Sequence, residues 1–243
     1  MNNQKENMSG VLVWDIETIP QHELSEIQEK QLAKKIKVKH PMAFVSTDPN
    51  YSYEDVDKFK NLLMSTNPFF GQVLLINSYE HSSRYPDGFA KSFIPEVHLS
   101  NLGIPEQIEE KKMLVDWWEY IRNFNGTFVG FNSLNFDAYF TIIRSMQHVI
   151  EPTNTDFLNL RKYSFWPHYD IMQQLANWGY ENKPTLELAC DLFKISSPKS
   201  GEIKAENVYS SFKQGKINEI STYCGEDVRA AYELYKIVRK YKN

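Results

Sequence analysis

Residues 10–18 read GVLVWDIET, a run of β-branched and aromatic side chains that ends in two carboxylates. Such a run predicts a strand buried on both faces and stopped at Pro20. Side chains two apart share a strand face, so Val11, Val13, Asp15 and Glu17 point the same way, with the two acids within about 7 Å of each other. Carboxylates at the end of a buried strand need a compensating cation. A single Asp-x-Glu triplet is weak evidence by itself, because any acidic chain contains such triplets by chance. The constraint sharpens if other acids also fall where the local pattern asks for an apolar residue.

Two further places do this. Ile217, Ile220, Cys224, Ala231, Leu234 and Val238 step at threes and fours and predict a helix over 217–238, and position 227 of that stripe is an aspartate. Tyr223 lies one turn before Asp227, so its hydroxyl and that carboxylate can converge. Tyr51/Asp55 and Tyr53/Asp57 share the spacing, but 46–68 is rich in Ser, Asp, Asn, Pro and Tyr and reads as irregular chain. The third place is Asp137, in the opening turn of a helix expected over 135–147, with Asn135 as a plausible N-cap. A first-turn acid also suits the helix dipole. Four carboxylates gathered toward one core are prohibitive unless divalent cations neutralise them.

The rest of the chain fits an α/β layered domain. Strands are expected at Phe70 to Tyr79, Phe93 to His98, Thr127 to Asn132 and near His168 to Ile171. Helices are expected over 22–37, from Pro105 through Phe124, and over 185–193. The helix from Pro105 would use the proline in its first turn and Glu106, Glu109 and Glu110 against its dipole. At 243 residues, 42% hydrophobic and 24% charged, one domain over 10–243 is the expectation, with a flexible polar 1–9 and an insertion at about 21–68. No apolar run approaches the roughly 18 residues of a membrane span. Two cysteines, Cys190 and Cys224, with no metal-ligand spacing, suit packing in a reducing cytoplasm. A net charge of −4 means that a nucleic-acid partner would have to be held by local basic groups or through metal ions.

With these residues in view, VWDIET, GFNSLNFD and YCGEDVRAAYEL resemble the three exonuclease motifs of the DEDD 3′–5′ exonucleases, tyrosine subclass. The histidine subclass would place a histidine five residues before the last aspartate, where this chain has Thr222. HYDIMQQL, TLELACDLFKI and SPKSGE are similar to the predicted exonucleases related to the proofreading domain of family B DNA polymerases. The resemblance implies a ribonuclease-H-like α/β/α fold with a central mixed sheet of about five strands. It also implies two divalent ions, Mg²⁺ or Mn²⁺. Asp15 would bridge both; Glu17 and Asp227 would help hold the ion carrying the attacking water, and Asp137 the other. Tyr223 would aim that water.

The implied activity is stepwise hydrolysis from the 3′ end of a single-stranded or frayed nucleic acid, DNA before RNA, releasing nucleoside 5′-monophosphates. An exoribonuclease of the same fold and a catalytically silent nucleic-acid-binding module are the alternatives, and no membrane partner is expected. An endonuclease of similar fold would leave Tyr223 without a use, and a paired-carboxylate glycosidase would leave Asp137 and Asp227 without one. A protein partner stays open. Secondary substrate-binding candidates are Thr18, Phe131, Asn132, Phe136, Lys199 in the Lys199–Gly201 loop, and Asp170. Core packing competes for the two phenylalanines, and capping of the next helix for Asp170. Lys34, Lys35, Lys37 and Lys39 form the densest positive run, read first as a solvated helix face.

Overall fold

The computed structural model describes residues 10–41, 53–196 and 202–242. β1 (Gly10–Pro20) is the middle strand of a five-stranded mixed sheet. On one side it pairs antiparallel with β2 (Gly71–Ser82), which pairs antiparallel with β3 (Phe89–Phe93) at the edge. On the other side it runs parallel to β6 (Thr127–Gly130), which runs parallel to β7 (His168–Asp170). A small antiparallel pair, β4 (Val97–Leu99) and β5 (Pro105–Ile108), lies apart from this sheet.

Alternation along β1 divides the core into two. Leu12, Trp14 and Ile16 pack with Leu114 and Trp117 of α3 (Glu110–Ile121) and Phe140 of α4 (Asp137–Gln147). Val13 faces the other way, against Val228, Ala231 and Leu234 of α8 (Ile217–Val238). Three shorter helices, α5 (Ile171–Leu175), α6 (Leu186–Phe193) and α7 (Val208–Lys213), pack beside α8. The result is three layers, α/β/α, and period-2 geometry places Asp15 and Glu17 on the α8 side.

One irregularity falls beside the acids. Glu17 faces Leu75 across the ladder and the next residue, Thr18, faces Val73, so Leu74 is an extra, bulged residue of β2. Leu74 and Leu75 consequently both pack under α8, with Ile220, Tyr223 and Cys224.

The layer under α3 and α4 is pinned by a buried ion pair. Glu110 at the start of α3 accepts from Arg144 Nη2 of α4 at 2.6 Å, from the Val73 amide at 2.6 Å and from the His148 ring at 2.7 Å. The guanidinium, the ring and the amide hold the Glu110 carboxyl below its usual range against the penalty of burial. This clasp fixes α4, the helix that opens with Asp137, against β2.

Several expected boundaries move, each for a local reason. Pro105 opens β5 instead of a helix, and α3 starts only at Glu110; a proline is tolerated where a strand begins and pairing is irregular, as at the shift beside Leu99. The strand expected over 93–98 is two strands separated at Pro95. Residues 53–65, expected irregular, form the helix α2 (Tyr53–Ser65). Its Val56, Phe59 and Leu63 recur at helical spacing and pack with Leu32 and Ile36 of α1 (Glu26–Lys39), which outweighs the polar composition around them. Asn135 does not cap α4, which opens after Phe136 with no side-chain cap. The expectation for residues 1–9 lies outside the described residues.

His168 of β7 is 1% exposed, and its Nε2 donates to the Phe157 carbonyl at 2.8 Å. Among the described residues its Nδ1 has no hydrogen-bond partner, and burial pushes the ring down to about 4. Below pH 6.5 the unfolded chain therefore binds a proton that the folded chain refuses. Stability should fall by about 3 kcal/mol in total as pH drops toward about 4, then level off in this component. Urea unfolding of wild type and His168→Gln between pH 7 and 4 checks it. Equal pH slopes in the two proteins would refute the assignment.

Candidate active site

The site forms where the parallel strands end. β1 pairs with β6 only from Val11 to Val13, then runs on alone past the end of β6. The Ile16 amide, flanked by the two acids, has no strand partner on that side. It donates instead to Asp137 Oδ1 at 3.1 Å, which draws the start of α4 to the end of β1. Asp137 is 2% exposed.

The path from β6 to Asp137 is held by another carboxylate. Asp170, at the end of β7, is 0% exposed and accepts from the amides of Asn132 at 3.0 Å, Leu134 at 3.1 Å and Gln173 at 3.1 Å. It thus caps α5 and pins the 131–136 loop together. Asn132 sits at φ 66, a left-handed conformation that asparagine tolerates. Gly130 is required just before it, because a Cβ there would stand 2.5 Å from that of Ser133.

From the opposite side α8 lowers Tyr223, Cys224 and Asp227 onto β1. Its height is set by Asn77, the residue across from Asp15, whose amide donates to the Ser221 carbonyl. A Cβ at Gly225 would come within 3.3 Å of that amide nitrogen, so the glycine permits the approach. Cys224 is buried, and its thiol points to Asp15 Oδ2 at 3.5 Å. Ligand atoms of Asp15, Glu17 and Cys224 lie within 4.8 Å of one another.

The charges of this cluster repel. Burial first, then Asp137, Asp227 and Glu17, push the Asp15 carboxyl well above the usual range. Burial, Asp227 and Asp137 do the same to Glu17, and burial raises Asp137 to about 7. Asp15 and Glu17 therefore each feel both Asp137 and Asp227. The Tyr223 hydroxyl hydrogen-bonds Asp227, and burial with the neighbouring carboxylates pushes it up, so it stays a neutral phenol. Cys224 is pushed up for the same reasons, so as a neutral thiol it donates to Asp15 while the carboxylates carry the charge. What remains is an all-oxygen set of negative donors, which suits hard divalent cations such as Mg²⁺ or Mn²⁺.

The structure thus brings together Asp15, Glu17, Asp137, Tyr223 and Asp227. The secondary candidates fare differently. Thr18 is buried and donates its hydroxyl to the Ser65 carbonyl at 2.7 Å. Phe131 packs with the Val13 cluster and Phe136 against Phe140, each partly exposed. The side-chain oxygen of Asn132 accepts from Asn135 at 3.3 Å. Asp170 acts on the backbone, as described. Lys199 lies outside the described residues. Lys34, Lys35, Lys37 and Lys39 are exposed on α1. Sequence reasoning passed over Asn77, Gly225 and the nearness of Cys224 to Asp15; a glycine inside a helical stripe was the available signal of a close backbone approach.

Among the described residues, no helix is long and apolar enough to cross a membrane. A family described as "Predicted 3'-5' exonuclease related to the exonuclease domain of PolB" matches residues 92–243. No curated protein matches the sequence. The structure is similar to that of the family B DNA polymerase from the hyperthermophilic archaeon Pyrobaculum calidifontis, with a TM-score of 0.59 at 15% identity. The match covers 95% of this chain and 24% of the polymerase, so the chain spans about a quarter of that protein's length. The shared architecture is the ribonuclease-H-like fold of a mixed five-stranded sheet between helices.

Replacing Asp170 by alanine strands three backbone amides at once, two of them buried. Asp170→Ala should lower unfolding stability by about 2–4 kcal/mol, read from denaturant midpoints at constant m-value. A loss within about 0.5 kcal/mol, the range of an ordinary surface substitution, would contradict the pinning role.

Proposed function

The chain belongs to this family of 3′–5′ exonucleases, and from that membership we propose that it removes nucleotides one at a time from the 3′ end of single-stranded or frayed DNA. The products are nucleoside 5′-monophosphates. The observation that carries the reading is the convergence of Asp15, Glu17, Asp137 and Asp227, four acids from three distant stretches of chain, on the end of β1. The fold likeness to a DNA polymerase supports DNA over RNA.

In this reading Asp15, Glu17, Asp137 and Asp227 would hold two divalent cations, and Asp15, which feels the charges of the other three acids, would contribute to holding both. Glu17, whose strongest charged neighbour is Asp227, would share with it the holding of one cation, and Asp137 would help hold the other. When bound, two such cations would supply Lewis acidity, favouring a hydroxide nucleophile and offsetting the negative charge that develops at phosphorus. Tyr223, a neutral phenol beside Asp227, positions the water by hydrogen bonding and does not act as a phenolate base. The Ile16 amide keeps the Asp137 carboxylate from rotating away, so geometry is set before substrate arrives. A free strand is the expected substrate, because a paired and stacked end would have to come apart before its terminal phosphodiester could reach the four acids.

Digestion of matched 5′-labelled DNA and RNA oligomers, linear and circular, with Mg²⁺, Mn²⁺ or chelator tests the proposal. The expected result is a ladder shortening from the 3′ end of linear strands, abolished by chelation, with DNA degraded faster. Cleavage of circles would overturn it. Tyr223→Phe should lower kcat about tenfold, the worth of one hydrogen bond of about 1.4 kcal/mol, while leaving Mn²⁺ binding in place.

The raised carboxyls also make a prediction about cation binding. With Asp137 raised to about 7, the folded cluster holds protons that the unfolded chain releases near pH 4, so folding loses stability as pH rises through 7. Cations that replace those protons should raise the melting temperature strongly at pH 8 and little at pH 5. An equal Mn²⁺ shift at both values would count against these ligands.

A further inference from the structure

The loop that carries Asp137 has an outer side, and there it borders a second feature. Leu134 and Asn135 line a cleft of about 180 Å³ together with Lys162, Tyr163, Trp178, Tyr180 and Lys183. We infer that this cleft is a docking surface for the single strand behind the 3′ end, with bases stacked on its rings and phosphates held by its lysines. The inference rests on the exonuclease reading for its substrate class.

Three observations carry it. First, the rings are displayed: Tyr163 is 74% exposed and Tyr180 is 88% exposed, an arrangement that burial does not reward. Second, the backbone takes uncommon conformations to present them. Tyr163 sits at φ 59, Asn177 at φ 49 and Trp178 at φ 61, all left-handed, which bulky aromatic residues rarely adopt. The turn is held by the Trp178 amide donating to the Gln173 carbonyl at 2.9 Å and by Lys242 donating to the Asn177 side chain at 3.2 Å. Strain of this kind persists at sites that bind. Third, the charge is right for phosphate in a chain of net charge −4. Lys183 lies 5.3 Å from the Tyr180 ring centre, and among the described residues neither it nor Lys162 is paired with a carboxylate.

Geometry also says how a base would sit. The Tyr163 and Trp178 ring centres are 5.0 Å apart, the distance of rings already in contact, so no base fits between them. The pair offers an outer platform, and Tyr180 is a further face. Interleaved rings and lysines of this kind suit a strand without selecting its sequence, because every base has a π face.

The test is equilibrium binding of fluorescein-labelled dT20 and rU20 to the full chain in EDTA, where no cleavage occurs. Tyr163→Ala/Tyr180→Ala should weaken binding about tenfold or more per ring. Lys162→Ala and Lys183→Ala should each flatten the plot of log Kd against log salt by about 0.7. Both substituted tyrosines are exposed, so the melting temperature should hold. Equal losses on DNA and RNA are expected, since neither stacking nor phosphate contact reads the sugar, and a loss on one polymer alone assigns the cleft to it. Wild-type affinity in the double-tyrosine variant overturns the proposal even if the enzyme cleaves DNA. If that variant loses binding but the wild type cleaves no oligomer with metal present, the cleft stands and the exonuclease reading falls.

Discussion

β1 outruns its parallel neighbour, and the arrangement of the molecule's acids follows from that. Past Val13 the β6 side of β1 has amides with no ladder to join. An unmet amide beside a buried sheet is costly, and here a carboxylate from the next helix meets it. The same hydrogen bond that completes the backbone of β1 delivers Asp137 to Asp15 and Glu17. Local satisfaction of a peptide group and assembly of a charged site are one event.

The cost of that assembly is electrostatic. Asp137 and Asp227 both favour protonation of Asp15 and of Glu17, and the fold tolerates this because its other layers are firmly held. Glu110 and Arg144 lock α3 to α4, and Asn77 locks α8 to β2. Asp170, although itself a carboxylate, spends its charge on backbone amides and so steadies the loop between β6 and α4. Acids with opposite duties thus stand close together: some organise the chain, and others are left to face one another.

How much of this was legible in sequence depended on range. The last helix was readable to its ends because a 22-residue amphipathic stripe carries its own boundaries. The strand GVLVWDIET was readable because β-branched residues crowd it. Glu110 was read as a helix-dipole acid, and its partner Arg144, 34 residues away, left no local trace. Pro105 obeyed a rule for helix starts that a strand start also satisfies. The acids of the site stood out because a carboxylate in an apolar stripe is a local contradiction. Asn77 contradicts nothing nearby, and its role exists only once α8 lies across β2.

The bulge at Leu74 carries a consequence for how the chain can vary. By letting two consecutive leucines face the same helix, it sets which side of β2 looks toward the acids from there to the hairpin. Adding or deleting one residue between Gly71 and Asn77 would turn Asn77 over and detach α8 from its rest. Length changes are therefore barred from this stretch, however conservative the inserted side chain, and belong in the connections between elements.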